Sequence, residues 1–475
     1  MQYYSTNGKA PMADLKKAVV KGLAEDRGLY MPERINRLPK AFFDDMPTMR
    51  FQDIAYNVAA AFFGEDIDGD GLKELVYDTL QFDCPIVRVK DNIYALELFH
   101  GPTLAFKDVG ARFMARLLQY FLRSGSVGCV DNAINGTKGT KGMVNVLVAT
   151  SGDTGSAVAN GFLGVEGIHV YVLYPKGKVS PIQECQFTTL GKNITAVEVD
   201  GVFDDCQRLV KNAFMDKELN ERMMLTSANS INVARFLPQA FYYFNAVASL
   251  LRVKSLELSD ISSVEQSNVS EHSTLNTQPV ICVPSGNFGN ICAALFGHAM
   301  GMPVKRFIAA NNANDVFYNY LQTGKYEPKA SIQTLANAMD VGDPSNFARI
   351  LNLYSENGKL TPEETHQRIT SLISGATYSD EQIKETMRQC YAETGYILDP
   401  HGACGYRALE DQLQPGEVGI FCETAHPAKF KEKVDEILGI DVEIPERLAA
   451  FMRGEKQSVP MPNDFDAFKQ FLLAQ

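Results

Sequence analysis

The chain has 475 residues, enough for two or three domains built around substantial cores. With 45% hydrophobic and 21% charged residues, it has the balance of a folded globular protein, not of a disordered or fibrous one. Its net charge of −12 repels phosphate backbones and argues against nucleic acid as a partner, yet a local pocket of amides and cations can still hold a phosphorylated metabolite.

Nine cysteines occur singly, with no CxxC pair and no metal-like Cys/His spacing, which fits reduced thiols and a cytoplasmic location. No apolar run follows the first charged residues, so no signal peptide is expected. Nor is there a stretch of 18 uninterrupted apolar residues, so no membrane span is expected either.

Three units are expected along the chain. Residues 1–95 read as a self-contained, mainly helical domain, with ADLKKAVVKGLAED at helical spacing followed by the turn-prone DRGLYMPE. Residues 96–275 open on a Gly/Pro turn, a Lys-Asp pair and the amphipathic ARFMARLLQYFL, and then form a smaller α/β domain. Residues 276–475 form a larger α/β domain that ends in helices. Strands are expected at 146–150, 169–175, 194–200, 279–285, 306–311 and 419–424, alternating with helices such as GSAVANGFL, PIQECQFTTLG and FDDCQRLVKNAFMD. This alternation implies an α/β fold of parallel strands joined by right-handed crossovers, with helices on both faces. Residues 124–141 and 256–278 read as exposed loops.

Ligands of such sheets sit where strands end and helices begin. VPSGNFGN places Gly286 and Gly289 around Asn287 and Phe288, just after a strand and just before a helix. Successive amides there can form a phosphate nest, or the segment is simply a tight turn. At Ser151, Gly152, Asp153 and Thr154 another strand runs into another helix, and the same residues suit either a substrate carboxylate or plain capping. Lys107, bracketed by Phe106 and Val109, is either an amine with a burial-lowered pKa or a snorkelling surface lysine. Thr424 ends the last strand, where its hydroxyl can face a heteroaromatic nitrogen or cap a helix. Ser230, Asn232 and Arg235 can clamp an anion or cap the apolar helix that follows.

Taken in order, HGPTLAFKD, ATSGDTG, YPKGKVSP, SANSIN, PSGNFGN and TAHPAKFK closely resemble the threonine synthases, which are fold type II pyridoxal-phosphate enzymes, over almost the whole chain. The resemblance implies two open, mainly parallel sheets with helices on both faces, plus the N-terminal mainly helical domain. It implies pyridoxal 5'-phosphate joined to Lys107, a cofactor-phosphate loop at Gly286, Asn287, Phe288, Gly289 and Asn290, and Thr424 facing the pyridine nitrogen. Ser151, Gly152, Asp153 and Thr154 would hold the amino-acid carboxylate. Ser230, Asn232 and Arg235 would receive the substrate's phosphate, helped by Lys178 and Ser180. The implied reaction turns O-phospho-L-homoserine and water into L-threonine and phosphate, with monomer as the default state and no metal. Asn290 stands where many relatives carry Asp, which leaves one fewer negative charge in the loop.

Overall fold

β-Branched residues crowd a helix at χ1 but stand clear on a pleated sheet, and the runs rich in them form the strands of this molecule. The computed structural model describes residues 1–124, 143–262 and 277–475, with the backbone alone described at 258–262. Strands β1 (Gln2–Ser5), β2 (Ala13–Asp14) and β3 (Tyr30–Pro32) make a small antiparallel sheet in the order β2-β1-β3. The remaining strands are β4 (Ile86–Lys90), β5 (Ile93–Glu97), β6 (Val144–Ala149), β7 (Ile168–Pro175), β8 (Ile194–Asp200), β9 (Met224–Ser227), β10 (Val280–Pro284), β11 (Arg306–Asn311), β12 (Ile373–Thr377), β13 (Gly419–Glu423) and β14 (Val459–Pro462). They form two larger sheets. One is an all-parallel sheet of five, β14-β8-β7-β6-β9. The other has six strands, β12-β11-β10-β13-β5-β4, parallel except for β4 against β5.

Strands β6, β10 and β13 are buried at every residue, which requires cover on both faces, and helices supply it. The Lys107–Arg123 helix contributes eleven buried residues, from Asp108 to Phe121.

The N-terminal region is mainly helical, with β1–β3 folded beside its helices. Three features differ from the sequence-based expectation. β4 and β5, which straddle the expected boundary at residue 95, pair into the six-stranded sheet. β14, from the C-terminal segment, closes the edge of the five-stranded sheet by pairing with β8. The Ala240–Ser262 helix continues through residues expected to be loop. Leu256 and Glu257 are good helix formers, and Lys254 donates to Glu257 one turn away at 2.9 Å. Of the two expected loops, residues 125–141 and 263–276 lie outside the described residues.

The register Cys282↔Phe421 between β10 and β13 brings the turn after Pro284 beside the end of β13. The candidate chemistry therefore gathers at the C-terminal edge of the larger sheet.

Candidate active site

Lys107 is the first residue of its helix, and the strand end at Glu423 positions it. An isolated antiparallel bridge pairs Ala105 with Ala425. The Phe106 amide donates to the Thr424 carbonyl at 2.9 Å, and the His426 amide donates to the Leu104 carbonyl at 3.1 Å. The turn before Lys107 is closed by buried Asp108, which accepts from the Thr103 amide (2.9 Å) and hydroxyl (2.6 Å). Lys107 and the buried Thr424 are thus neighbours. Burial pushes the Lys107 amine down to about 8, against the pull of Asp153 and with help from Arg235 and Lys429.

The turn at 285–290 is shaped for a close approach. A Cβ on Gly286 would lie 2.7 Å from the Ala338 carbonyl oxygen, so only glycine fits there. Phe288 takes a left-handed φ of 62° at the start of the Gly289–Ala299 helix. The Asn287 side chain accepts from the Ser345 amide at 2.7 Å and donates to the Ser230 hydroxyl at 2.8 Å. The Asn346 side chain in turn donates to the Asn287 carbonyl at 2.9 Å. The Asn290 side chain points away from the turn, accepting from the hydroxyls of Tyr242 (2.5 Å) and Tyr243 (2.7 Å). A carboxylate at position 290 would therefore place its charge against two tyrosine hydroxyls.

At 151–154 the Thr150 hydroxyl takes the amides of Gly152 (2.9 Å) and Gly155 (2.8 Å) and folds the turn into the Asp153–Phe162 helix. Ser151 and Thr154 stay half-buried at the helix start. Asp153 is already paired: its carboxylate lies 2.7 Å from the Lys429 ammonium and accepts from the Gln183 amide at 2.9 Å. Burial favours its protonated form, but Lys429 and Lys107 outweigh that and hold the group well below the usual carboxylate range.

The segment 230–235 meets the other loops through Ser230, as described for Asn287. Asn232 is fully buried, and its side chain is committed to structure. It caps the Ala234 amide at 3.0 Å and donates to the carbonyls of Val19 (2.8 Å) and Ser227 (3.2 Å). Of the two readings open in sequence, capping describes this side chain. Arg235 is 2% exposed, donates to the Ala228 carbonyl, and leaves its Nε without a partner. Burial pushes its guanidinium down to about 10, with Asp108 opposing. Ser180 caps the Pro181–Thr188 helix and donates to Gln183, while Lys178 is exposed.

Sequence reasoning missed Lys429, although it quoted the surrounding TAHPAKFK. A lysine ahead of an amphipathic helix looks like surface, and only the meeting of the two sheets buries it. It also missed Arg349, fully buried, which donates to the carbonyls of Tyr30 (3.0 Å) and Ile231 (2.6 Å) and to Asn346 (2.5 Å).

A half-buried lysine with a lowered pKa, an amide-lined glycine turn and a strand-end hydroxyl, set between two parallel sheets, define a pyridoxal-phosphate-dependent enzyme. Residues 79–421 match the family model described as pyridoxal-phosphate dependent enzyme. Residues 2–80 match the threonine synthase N terminus, and 402–472 match the threonine synthase C-terminal model. A threonine synthase of Serratia marcescens is 41% identical over 473 residues, covering 100% of this chain and 99% of that one. The crystal structure of threonine synthase from Escherichia coli superposes with a TM-score of 0.84 at 39% identity and covers 100% of both chains. The PLP-bound threonine synthase from Brucella melitensis gives 0.85 at 30% identity, covering 99% of this chain and 98% of that one. The chain belongs to the threonine synthase family.

The residues present suit pyridoxal phosphate. Lys107 offers a half-buried amine whose pKa burial lowers, and the Gly286 turn leaves backbone where any larger residue would collide. No helix among the described residues is long and apolar enough to cross a membrane.

Proposed function

We propose that this enzyme forms L-threonine and phosphate from O-phospho-L-homoserine and water, with pyridoxal phosphate carried on Lys107. The observation that carries the reading is the backbone clasp between Leu104–Phe106 and Thr424–His426, which seats a lysine of lowered pKa beside a strand-end threonine. When bound, the cofactor supplies an electron sink that makes the substrate's α- and β-carbon protons removable.

In this reading the rest is done by side chains and amides of the chain. The amides of the 286–290 turn, at a helix N-terminus, grip the cofactor's phosphate. The Thr424 hydroxyl would offer the ring nitrogen a neutral partner, one that does not force a proton onto it. The Lys107 amine takes the proton at the α-carbon and returns it later, a role suited to a pKa near working pH. Ser151, Asp153 and Thr154 at the helix start hold the substrate carboxylate, with the Gly152 amide kept by Thr150, and Arg235 with Ser230 receives its phosphate, leaving Asn232 to fix the shape of that turn. Plain homoserine would leave the buried Arg235 without its anion, which is how the site would reject it.

The reading includes a monomer in the cytoplasm. All eight cysteines among the described residues are free, which supports a reducing compartment, and light scattering reads the mass. The activity is tested by supplying O-phospho-L-homoserine and following phosphate and threonine together. Equal amounts of both are expected, with little ketoacid from serine. Serine dehydration without threonine formation would overturn the substrate assignment.

A further inference from the structure

We propose that the buried Asp153–Lys429 ion pair, which joins the two large sheets, is a positioning pair that sets how tightly the Lys107 amine holds its proton. This rests on the reading in which Lys107 carries the cofactor.

The pair is unusual in this molecule. Its side chains are 0% and 6% exposed, and no other Lys or Arg pair with a carboxylate among the described residues has both partners so deeply buried. Taking two charges out of water costs several kcal/mol per ion, and apolar side chains of similar size hold an interface at least as well. Stability alone therefore explains the pair poorly, so its location has to be considered.

Asp153 begins the helix after β6, and Lys429 lies in the turn that follows β13. Lys429 also donates to the Thr103 carbonyl at 2.8 Å, and Gln186 donates to the same oxygen at 3.1 Å. The Thr103 amide and hydroxyl are both held by Asp108, next to Lys107. The ion pair is thereby fastened to the turn that delivers the reactive amine. Three charged groups face Lys107 from the packed elements: Asp153, Arg235 and Lys429. Asp153 favours the ammonium form and both cations disfavour it, so the two members of the pair act on Lys107 with opposite sign. Burial lowers the proton affinity of Lys107, and the pair adjusts it from there, Asp153 upward and Lys429 downward, with Arg235 acting in the same direction as Lys429.

Opposite signs give a test that a merely structural ion pair would not pass. The full chain, freed of cofactor, is mixed with pyridoxal phosphate at a series of pH values and capture is followed by absorbance. Lys107 must be neutral for its nitrogen to bond to the aldehyde carbon as water leaves, so the pH midpoint of the capture rate reports its proton affinity. Lys429→Met is expected to move the midpoint to higher pH and Asp153→Asn to lower pH, each by about one unit or more. Lys429→Arg, which keeps the charge, is expected to stay near the wild type. Each neutral variant gives a signed result by itself, so one that does not fold leaves the other to decide. Midpoints that stay put, or that move in the same direction, would overturn the proposal. Borohydride reduction and peptide mapping of the wild type separate this failure from the larger one. A cofactor trapped on a different lysine would remove the reading itself, whereas one trapped on Lys107 with unmoved midpoints removes only the role of the pair.

Discussion

Gly110 lies one turn after Lys107 on the same helix, where the Val233–Phe236 helix crosses it. A Cβ at this position would stand 2.2 Å from the Arg235 carbonyl oxygen and 3.2 Å from its carbonyl carbon. The obstacle is backbone and cannot swing aside, so Gly110→Ala must push the segment carrying Arg235 outward by about 1 Å. Overpacking of this kind costs about 1–3 kcal/mol, and alanine's better helix propensity returns about 1 kcal/mol of it. The net loss of stability is then small, a drop of a few degrees in Tm. The functional loss is expected to be much larger, because a displacement of ~1 Å at a reacting centre costs on the order of 100-fold. Phosphate release from O-phospho-L-homoserine should therefore fall roughly 100-fold in kcat/KM while the cofactor absorbance and the melting curve stay close to wild type. A G110A enzyme with undiminished kcat/KM would refute the coupling between this crossing and the site.

Arg235→Ala should weaken substrate binding roughly 10- to 100-fold and leave the cofactor in place, as read by KM and by visible absorbance. Loss of cofactor instead would show that the two phosphate positions have been exchanged. Asn346→Ala removes the donor to the Asn287 carbonyl and one acceptor of buried Arg349, so cofactor affinity should fall and unfolding should come about 1–3 kcal/mol earlier in denaturant titrations. Burial pushes His426 from 6.5 down to about 4, so between those values the unfolded chain binds the extra proton. Stability should accordingly decline as pH drops from about 6.5 to about 4, by at most about 3 kcal/mol from this residue. His426→Asn keeps an acceptor for the Ala428 amide, which the His426 ring nitrogen now takes at 3.1 Å, and should flatten that slope in melts run across this range.

Much of this fold can be read in the chain because its strands announce themselves. ITAVEVD and RFIAAN become β8 and β11 residue for residue, since β-branched and apolar runs bounded by polar turns admit little else. β12 (ISGAT) and β14 (VPMP) escaped notice because Gly, Ala and two prolines carry weak strand signals, and the neighbours in their sheets decide their conformation. In the candidate site, motif residues at the strand ends came forward on local grounds. Lys429, Arg349 and Gln183 did not, because each gains its role from a partner far away in sequence: Asp153, Tyr30 and Asp153 respectively. Asn232 shows the converse. A polar residue in the right motif is, in the fold, the cap of its own helix.

The account stands on the amine of Lys107, and the most direct measurement asks where the cofactor is bonded. Purified enzyme is reduced with borohydride, digested, and searched by mass spectrometry for the pyridoxyl-bearing peptide, with Lys107→Ala run beside it. The expected result is a single modified lysine within AFKDVGAR, and no visible cofactor band and no threonine formation in the variant. A modified lysine elsewhere, or an undiminished K107A enzyme, would contradict the account.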